Sequence, residues 1–138
     1  VNMEINWKEI TKKEELLDLI KMGINPLEYI KKEKDIDFIS ESLMIEGNDE
    51  DSYYEESAEI IFKAIIYYIL GTENEEKTLE RCKEIAKIGI DDIEGSVKLQ
   101  NILDKEPHSK SLYVFMNIAS EKNKKAIFDK LNERLLKI

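Results

Sequence analysis

Residues 71–78 come closest to a cofactor-binding motif in this sequence. Gly71, Lys77 and Thr78 fit a GxxxxGK[ST] phosphate-binding loop, but Glu76 replaces its second glycine. That glycine lets backbone N–H groups close around a phosphate, whereas a carboxylate repels the anion. Such a loop follows a strand, and the residues before Gly71 have the composition of an apolar helix. We therefore expect a turn that binds no nucleotide.

Residues 48–59 have the approximate spacing of a calcium-binding loop. Its ligand positions would be filled by Asn48, Glu50, Ser52 and Glu59. Tyr53, however, stands at the sixth position, where the sharp turn of such a loop needs glycine. We therefore expect an acidic, solvated loop and no metal site.

Nucleophilic catalysis has little support, because the chain has one cysteine and one histidine. Cys82 lies at helical spacing with apolar residues, which predicts a core position rather than a thiolate beside His108. Carboxylates are close together by chance in a chain with 30 acidic residues. The sequence therefore predicts no catalytic residue, no cofactor and no metal, and this chain is not expected to be an enzyme.

Residues 52–70 predict the helix that the other elements surround. Ser52 and Glu55 have the spacing of a capping box, and Gly71 follows where a left-handed residue often ends a helix. Between positions 58 and 70 only two residues are charged. A helix that is apolar most of the way round belongs in the centre of a bundle. We expect Ile61, Ile65 and Tyr68 to be nearly inaccessible.

Composition and start and stop signals predict an all-α fold. With 138 residues, 42% of them hydrophobic, five glycines and two prolines, the chain suits one domain that is a single compact bundle of about six to eight helices. Residues 1–23 are expected to add an arm and a helix. The other helices are predicted from Thr11 to Gly23, after Asn25 and Pro26, from Asp35 to Gly47, from Asn74 to Gly89, from Val97 to Leu103 and from Ser109 onward. Whether residues 109–138 form two helices or one kinked helix stays open.

The charge distribution limits the possible partners. A net charge of -9 opposes the phosphate backbone of nucleic acids, although residues 121–138 alone carry a net +3. The longest apolar run is too short to span a bilayer, and no secretion signal is visible. A single cysteine suits a reducing compartment. We expect a cytoplasmic location.

The order of several motifs resembles the all-α domain of the type IV coupling proteins, the DNA-translocating ring ATPases of bacterial conjugation and type IV secretion. The resemblance covers roughly residues 24–138. Its first half comprises Asn25, Pro26, Leu27, Tyr29 and Ile30, a variable acidic stretch, the aromatic pair Tyr53 and Tyr54, and residues 64–68 before an acidic turn. Its second half comprises Pro107, Tyr113, Phe115, Ala119, a basic interruption, Ile127, Leu131, Arg134 and Leu135.

This resemblance implies a fragment of a larger ATPase. The parent would be a hexamer attached to the cytoplasmic face of the bacterial inner membrane, with its nucleotide site in a separate domain. The all-α domain would receive a relaxase, a relaxosome accessory protein or an effector protein for conjugative transfer.

The acidic segment, residues 46–59, is the predicted docking face. An acidic face would speed the encounter with a basic partner, although dipole placement and solubility also explain such a run. The candidate contacts are Glu46, Asp49, Glu50, Asp51, Glu55 and Glu56. A second candidate patch is basic and comprises Lys122, Lys124 and Lys125.

Two other classes of protein remain open. The chain could be a free-standing small acidic helical adaptor or regulator of the antitoxin or phage type. It could also contact DNA weakly through the basic helix of residues 122–137. If the gene continues in frame into ATPase sequence on both sides, the coupling-protein domain is favoured over the free-standing adaptor. A salt-dependent mobility shift of labelled DNA would indicate the DNA-binding alternative.

Overall fold

The computed structural model describes residues 12–47 and 52–138, and within these the fold is all-α with no strand. This confirms the predicted fold class, and the helix count lies in the predicted range. The described α-helices are α1 (Lys13–Lys21), α2 (Glu33–Met44), α3 (Ser52–Gly71), α4 (Leu79–Ile90), α5 (Gly95–Leu103), α6 (Pro107–Tyr113) and α7 (Glu121–Leu135). Short 3-10 helices span Pro26–Tyr29 and Val114–Asn117.

Helix α3 is the centre of the bundle, as the sequence predicts. It packs against α2, α4, α5, α6 and α7. Ile61 and Ile65 are fully buried, and Tyr68 is 6% exposed. The apolar residues all round α3 therefore find neighbours on nearly every side.

Helix α3 has the predicted start at Ser52 and extends one residue beyond the predicted end at Leu70. Glu55, which the sequence pairs with Ser52 in a capping box, has its carboxylate bonded to the Glu46 N–H and to Arg134. Gly71 is the last helical residue and has no positive φ, unlike Gly23 and Gly47, with φ of 87° and 83°. A Cβ at position 71 would lie 2.9 Å from Cγ of Glu106, so packing explains this glycine.

Helix α4 begins later than predicted and runs through its predicted stop. Its cap is Thr78, whose Oγ1 accepts a hydrogen bond from the Arg81 N–H at 3.1 Å, and not Asn74. Gly89 lies inside the helix, where an added Cβ would be 2.5 Å from the Phe128 ring. The glycine is therefore needed for the close approach of α7 and not for helix termination.

The start of α6 depends on a buried carboxylate. Glu106, not Ser109, is the cap: its carboxylate accepts from the Ser109 N–H at 2.7 Å, and Pro107 is the first helical residue. The Ser109 hydroxyl instead donates to the Ala64 carbonyl at 2.7 Å. This bond joins the first turn of α6 to the middle of α3.

The remaining elements follow the sequence closely. Asn25 caps its 3-10 helix through the Leu27 N–H, and α2 ends at Met44, three residues before Gly47. Thr11 lies outside the described residues. The 3-10 helix at Val114–Asn117 and the Ser120 cap divide the C-terminal part, so α6 and α7 are separate helices.

Truncation of Ile65 to Ala should lower the free energy of unfolding by about 2 to 5 kcal/mol, because the transfer and cavity costs add. Denaturant unfolding followed by circular dichroism measures this loss. The control is Ile118→Ala, since Ile118 is 90% exposed. Equal stability of the two variants would show that α3 is not the centre of the core.

Candidate functional site

The acidic segment is joined to α7 by a buried ion pair. Nη2 of Arg134 lies 2.6 Å from Oε2 of Glu55, and the two side chains are 3% and 1% exposed. Nε of Arg134 donates to the Met44 carbonyl at 3.1 Å. The Glu55 carboxylate also accepts from the Glu46 N–H at 2.7 Å. This cluster therefore connects the end of α2, the following loop, the first turn of α3 and the last turn of α7.

The position of each residue along its helix explains why these two charges are buried. Glu55 is three residues before Ala58 and seven before Phe62, so it shares their buried face of α3. Arg134 is likewise three residues after Leu131 and seven after Ile127 on α7. A charged residue in phase with an apolar stripe was the signal for this pair, and the predicted contacts did not include Arg134.

Two of the predicted partner contacts are used inside the domain. Glu55 is buried, so its assignment to the docking face is wrong. Glu46 is exposed, but its Oε1 lies 2.7 Å from Nζ of Lys137 and 2.9 Å from Nη1 of Arg134. The hydrogen bond from Lys137 lowers the pKa of Glu46; burial acts against this effect, and the charge of Arg134 adds to it.

The structure describes only some of the remaining acids of the predicted docking face. Asp49, Glu50 and Asp51 lie outside the described residues. Glu56 is exposed on the first turns of α3. It contributes to a groove between α2 and α3 of about 290 Å³, which we call the acidic groove. The groove is lined by Glu41, Ile45, Gly47, Ser52, Glu55, Glu56 and Glu59.

Glu41 belongs to this groove although it lies outside the acidic run. It is on α2 and exposed, and only the packing of α2 on α3 brings it near Glu59. Burial, with a contribution from the charges of Glu41 and Asp37, raises the pKa of Glu59 despite the ammonium of Lys63 at 3.3 Å. Nζ of Lys63 is also 3.1 Å from Asp37, so this cation is shared between two carboxylates. The acidic groove therefore has an excess of negative charge.

The basic candidate patch is largely neutralised by its own helix. Nζ of Lys124 lies 3.3 Å from Glu121, and Nζ of Lys125 lies 2.8 Å from Asp129. Lys122 is exposed. The patch thus presents alternating charges along α7 rather than a positive surface.

The residues considered for catalysis have structural roles. Cys82 is fully buried, and burial raises the pKa of its thiol to about 12, so a thiolate is disfavoured at neutral pH. Nδ1 of His108 bonds to Glu106 at 2.9 Å, and its ring stacks on Tyr67 with centroids 5.1 Å apart. Within residues 12–47 and 52–138, no group of three His, Cys, Asp or Glu side chains is placed to hold a metal ion.

The residues that resemble a phosphate-binding loop form a turn that is held by side-chain hydrogen bonds. The Lys77 ammonium donates to the carbonyls of Thr72 and Glu75. The Glu75 carboxylate bonds to Arg81 at 2.8 Å and accepts from the Tyr68 hydroxyl at 2.7 Å. Lys77 is therefore held by backbone oxygens.

Comparison with known proteins finds no matching family model, curated protein or solved structure. The likeness to the type IV coupling proteins therefore stays a prediction. In the part of the chain that the structure describes, none of the helices has the length and apolar character to cross a membrane.

Replacing Arg134 with Met should cost about 3 to 5 kcal/mol of unfolding free energy, because Glu55 is then buried without its counter-charge. Guanidinium chloride unfolding is the measurement. Lys125→Met removes an exposed pair on the same helix and should change stability by less than about 1 kcal/mol. The double variant of Arg134 and Glu55 to Met should lose less than the sum of the single losses. Additive losses would contradict a direct interaction.

Titration calorimetry of the chain with Mg-ATP should show no binding, because Glu76 stands where a phosphate loop needs glycine and Lys77 is held by backbone carbonyls. Lys77→Met tests the assignment independently. If the unsubstituted chain binds Mg-ATP specifically and Lys77→Met weakens that binding, the turn is a nucleotide site.

Proposed function

We propose that this chain is a protein-docking domain whose acidic groove receives a basic segment of a partner protein. The observation that carries the proposal is the position of Glu41, Glu56 and Glu59 around one groove. Charges at the rim of an interface raise association rates and orient the partner more than they add affinity. A basic side chain in the groove would also relieve the mutual repulsion of these carboxylates.

The finer proposal is a substrate-docking domain of a type IV coupling protein that binds a relaxase, a relaxosome accessory protein or an effector protein. Support comes from the motif order described above and from an all-α fold with a central apolar helix, which the resemblance implies. The acidic groove supports it further, since partners that handle DNA are commonly basic. The ATPase activity of the parent protein would lie in another domain.

The buried cluster assigns different roles to the acids of the segment. Glu46 and Glu55 hold the end of α2 and the start of α3 against α7, and we infer that their role is to position the groove. Glu56 and Glu41 are exposed and are the best candidates for direct contact. Within residues 46–59, we therefore propose that Glu56 and Glu59 are the described acids that face the partner.

A free-standing acidic adaptor or regulator is the alternative function. It would use the same groove, so the choice between the two depends on the partner. Binding to a relaxase or its accessory protein supports the coupling-protein domain, whereas binding only to an unrelated basic protein supports the adaptor.

The double variant Glu41→Gln with Glu56→Gln should associate roughly three- to tenfold more slowly with the cognate relaxase or accessory protein at low salt. Stopped-flow fluorescence measures the rate. The difference should diminish near physiological ionic strength, where screening acts over about 8 Å. The fold should be unaffected because both residues are exposed.

The matched control is Glu73→Gln with Asp104→Asn, which removes the same charge from exposed positions. Glu73 follows the opposite end of α3, roughly 30 Å from its start. Equal slowing by both variants would mean that net charge alone steers the partner. Loss of binding only on neutralising Lys122, Lys124 and Lys125 would place docking on the basic helix.

A further inference from the structure

A second groove, of about 470 Å³, lies between the loop after α4 and the N-terminal half of α7. Gly89, Ile90 and Phe128 provide its apolar part, and Ile93 lines it from the loop. Its volume is in the range of ordinary ligand and side-chain pockets. None of its lining residues belongs to the acidic groove. We call it the α4–α7 groove.

The wall formed by residues 91–94 is held firmly. A Cβ at Gly95 would lie 2.3 Å from the Gly89 carbonyl oxygen, so the start of α5 can approach α4 only because position 95 has no side chain. The Asp92 carboxylate accepts from the Glu94 N–H at 2.8 Å and pairs with the ammonium of Lys98. The loop wall is therefore positioned by the close approach of α5 to α4 and by the bonds of Asp92.

Ile93 is fully exposed, although it lines a groove with an apolar floor. A partner that covers the Ile93 side chain would remove its apolar surface from water. Because this side chain has no polar atom, covering it buries no polar group. An apolar side chain that enters the groove would contact Ile93 and Phe128 together. Side chains that fill such pockets contribute most of the free energy of many interfaces.

The charges around the groove favour a basic partner. Asp91, Asp92 and Glu94 stand on the loop, where Lys98 is their one paired cation among the described residues. The carbonyl end of α4 adds partial negative charge on the same wall. On the opposite wall, Lys124 and Lys125 are neutralised by Glu121 and Asp129. The loop wall is therefore acidic and the α7 wall nearly neutral.

We propose that the α4–α7 groove is a second docking surface, which binds a basic segment of a partner protein. An apolar side chain of that segment inserts between Ile93 and Phe128, and its flanking Lys or Arg residues face the acids of the loop. This surface is independent of the proposed function of the acidic groove.

The test uses a short synthetic amphipathic helix of Ala, Leu and Lys, titrated into the ¹⁵N-labelled chain. Chemical-shift changes should centre on residues 89–96 and 121–129. Ile93→Ser should weaken the peptide about tenfold, as expected for loss of a central apolar contact. The matched control, Ile118→Ser, alters another exposed isoleucine outside the groove and should leave the affinity unchanged.

The electrostatic part is tested with charge variants and peptides. Asp91→Asn should weaken binding at low salt, whereas Glu80→Gln on α4 should not. Equal weakening by Ile93→Ser and Ile118→Ser, or equal binding of a Glu-containing peptide, overturns the proposal. Self-association in sedimentation that Ile93→Ser abolishes would also overturn it, because the occupant would then be a second copy of this chain. If Glu41→Gln with Glu56→Gln does not slow partner association, the proposal for the acidic groove is wrong, but the peptide test of the α4–α7 groove is unaffected.

Discussion

The packing of the end of α2 and the start of α3 against α7 centres on one buried charge pair, Arg134 with Glu55. Moving such ions out of water costs several kcal/mol each, and the cost is recovered only when geometry and further hydrogen bonds are good. Here the guanidinium also reaches the Met44 carbonyl and Glu46, while the Glu55 carboxylate reaches the Glu46 N–H. Among the described residues, no buried side-chain nitrogen or oxygen lacks a hydrogen-bond partner. The connection between α2 and α3 is thus anchored at both ends to α7, and the acidic groove forms beside it.

This arrangement gives the acidic residues two physical roles that composition cannot distinguish. Glu55 is buried and stabilises the fold through specific bonds, whereas Glu56, its neighbour in sequence, is exposed. Glu41 is far along the chain, yet packing places it in the same groove as Glu56 and Glu59. A surface for a basic partner is therefore assembled from two helices and is not the property of one acidic run.

Apolar patterning and composition were sufficient to predict the fold class, the central helix and the burial of Ile61, Ile65 and Tyr68. The sequence-based prediction was wrong for residue types, such as glycine, that have more than one structural role. Gly71 was predicted to be left-handed and Gly89 to stop a helix, but each instead removes a Cβ that would meet Glu106 or Phe128. These contacts arise only after helices pack, so local sequence does not contain them. For the site, Glu56 is exposed beside the acidic groove, and its contact with a partner stays a prediction. The burial of Glu55 and Arg134 could be predicted only by comparing the position of each residue with the buried face of its helix.

The long sequence separation of the Arg134 contacts has a kinetic consequence. Its partners are 79 and 90 residues away, so the entropy of closing these loops is lost before the bonds form. Contacts of this kind usually develop late in folding, after local helices and their nearest packing. Bonds that are absent from the folding transition state slow unfolding and leave the folding rate nearly unchanged. We therefore expect the contacts of Arg134 to prolong the lifetime of the native state without hastening its formation.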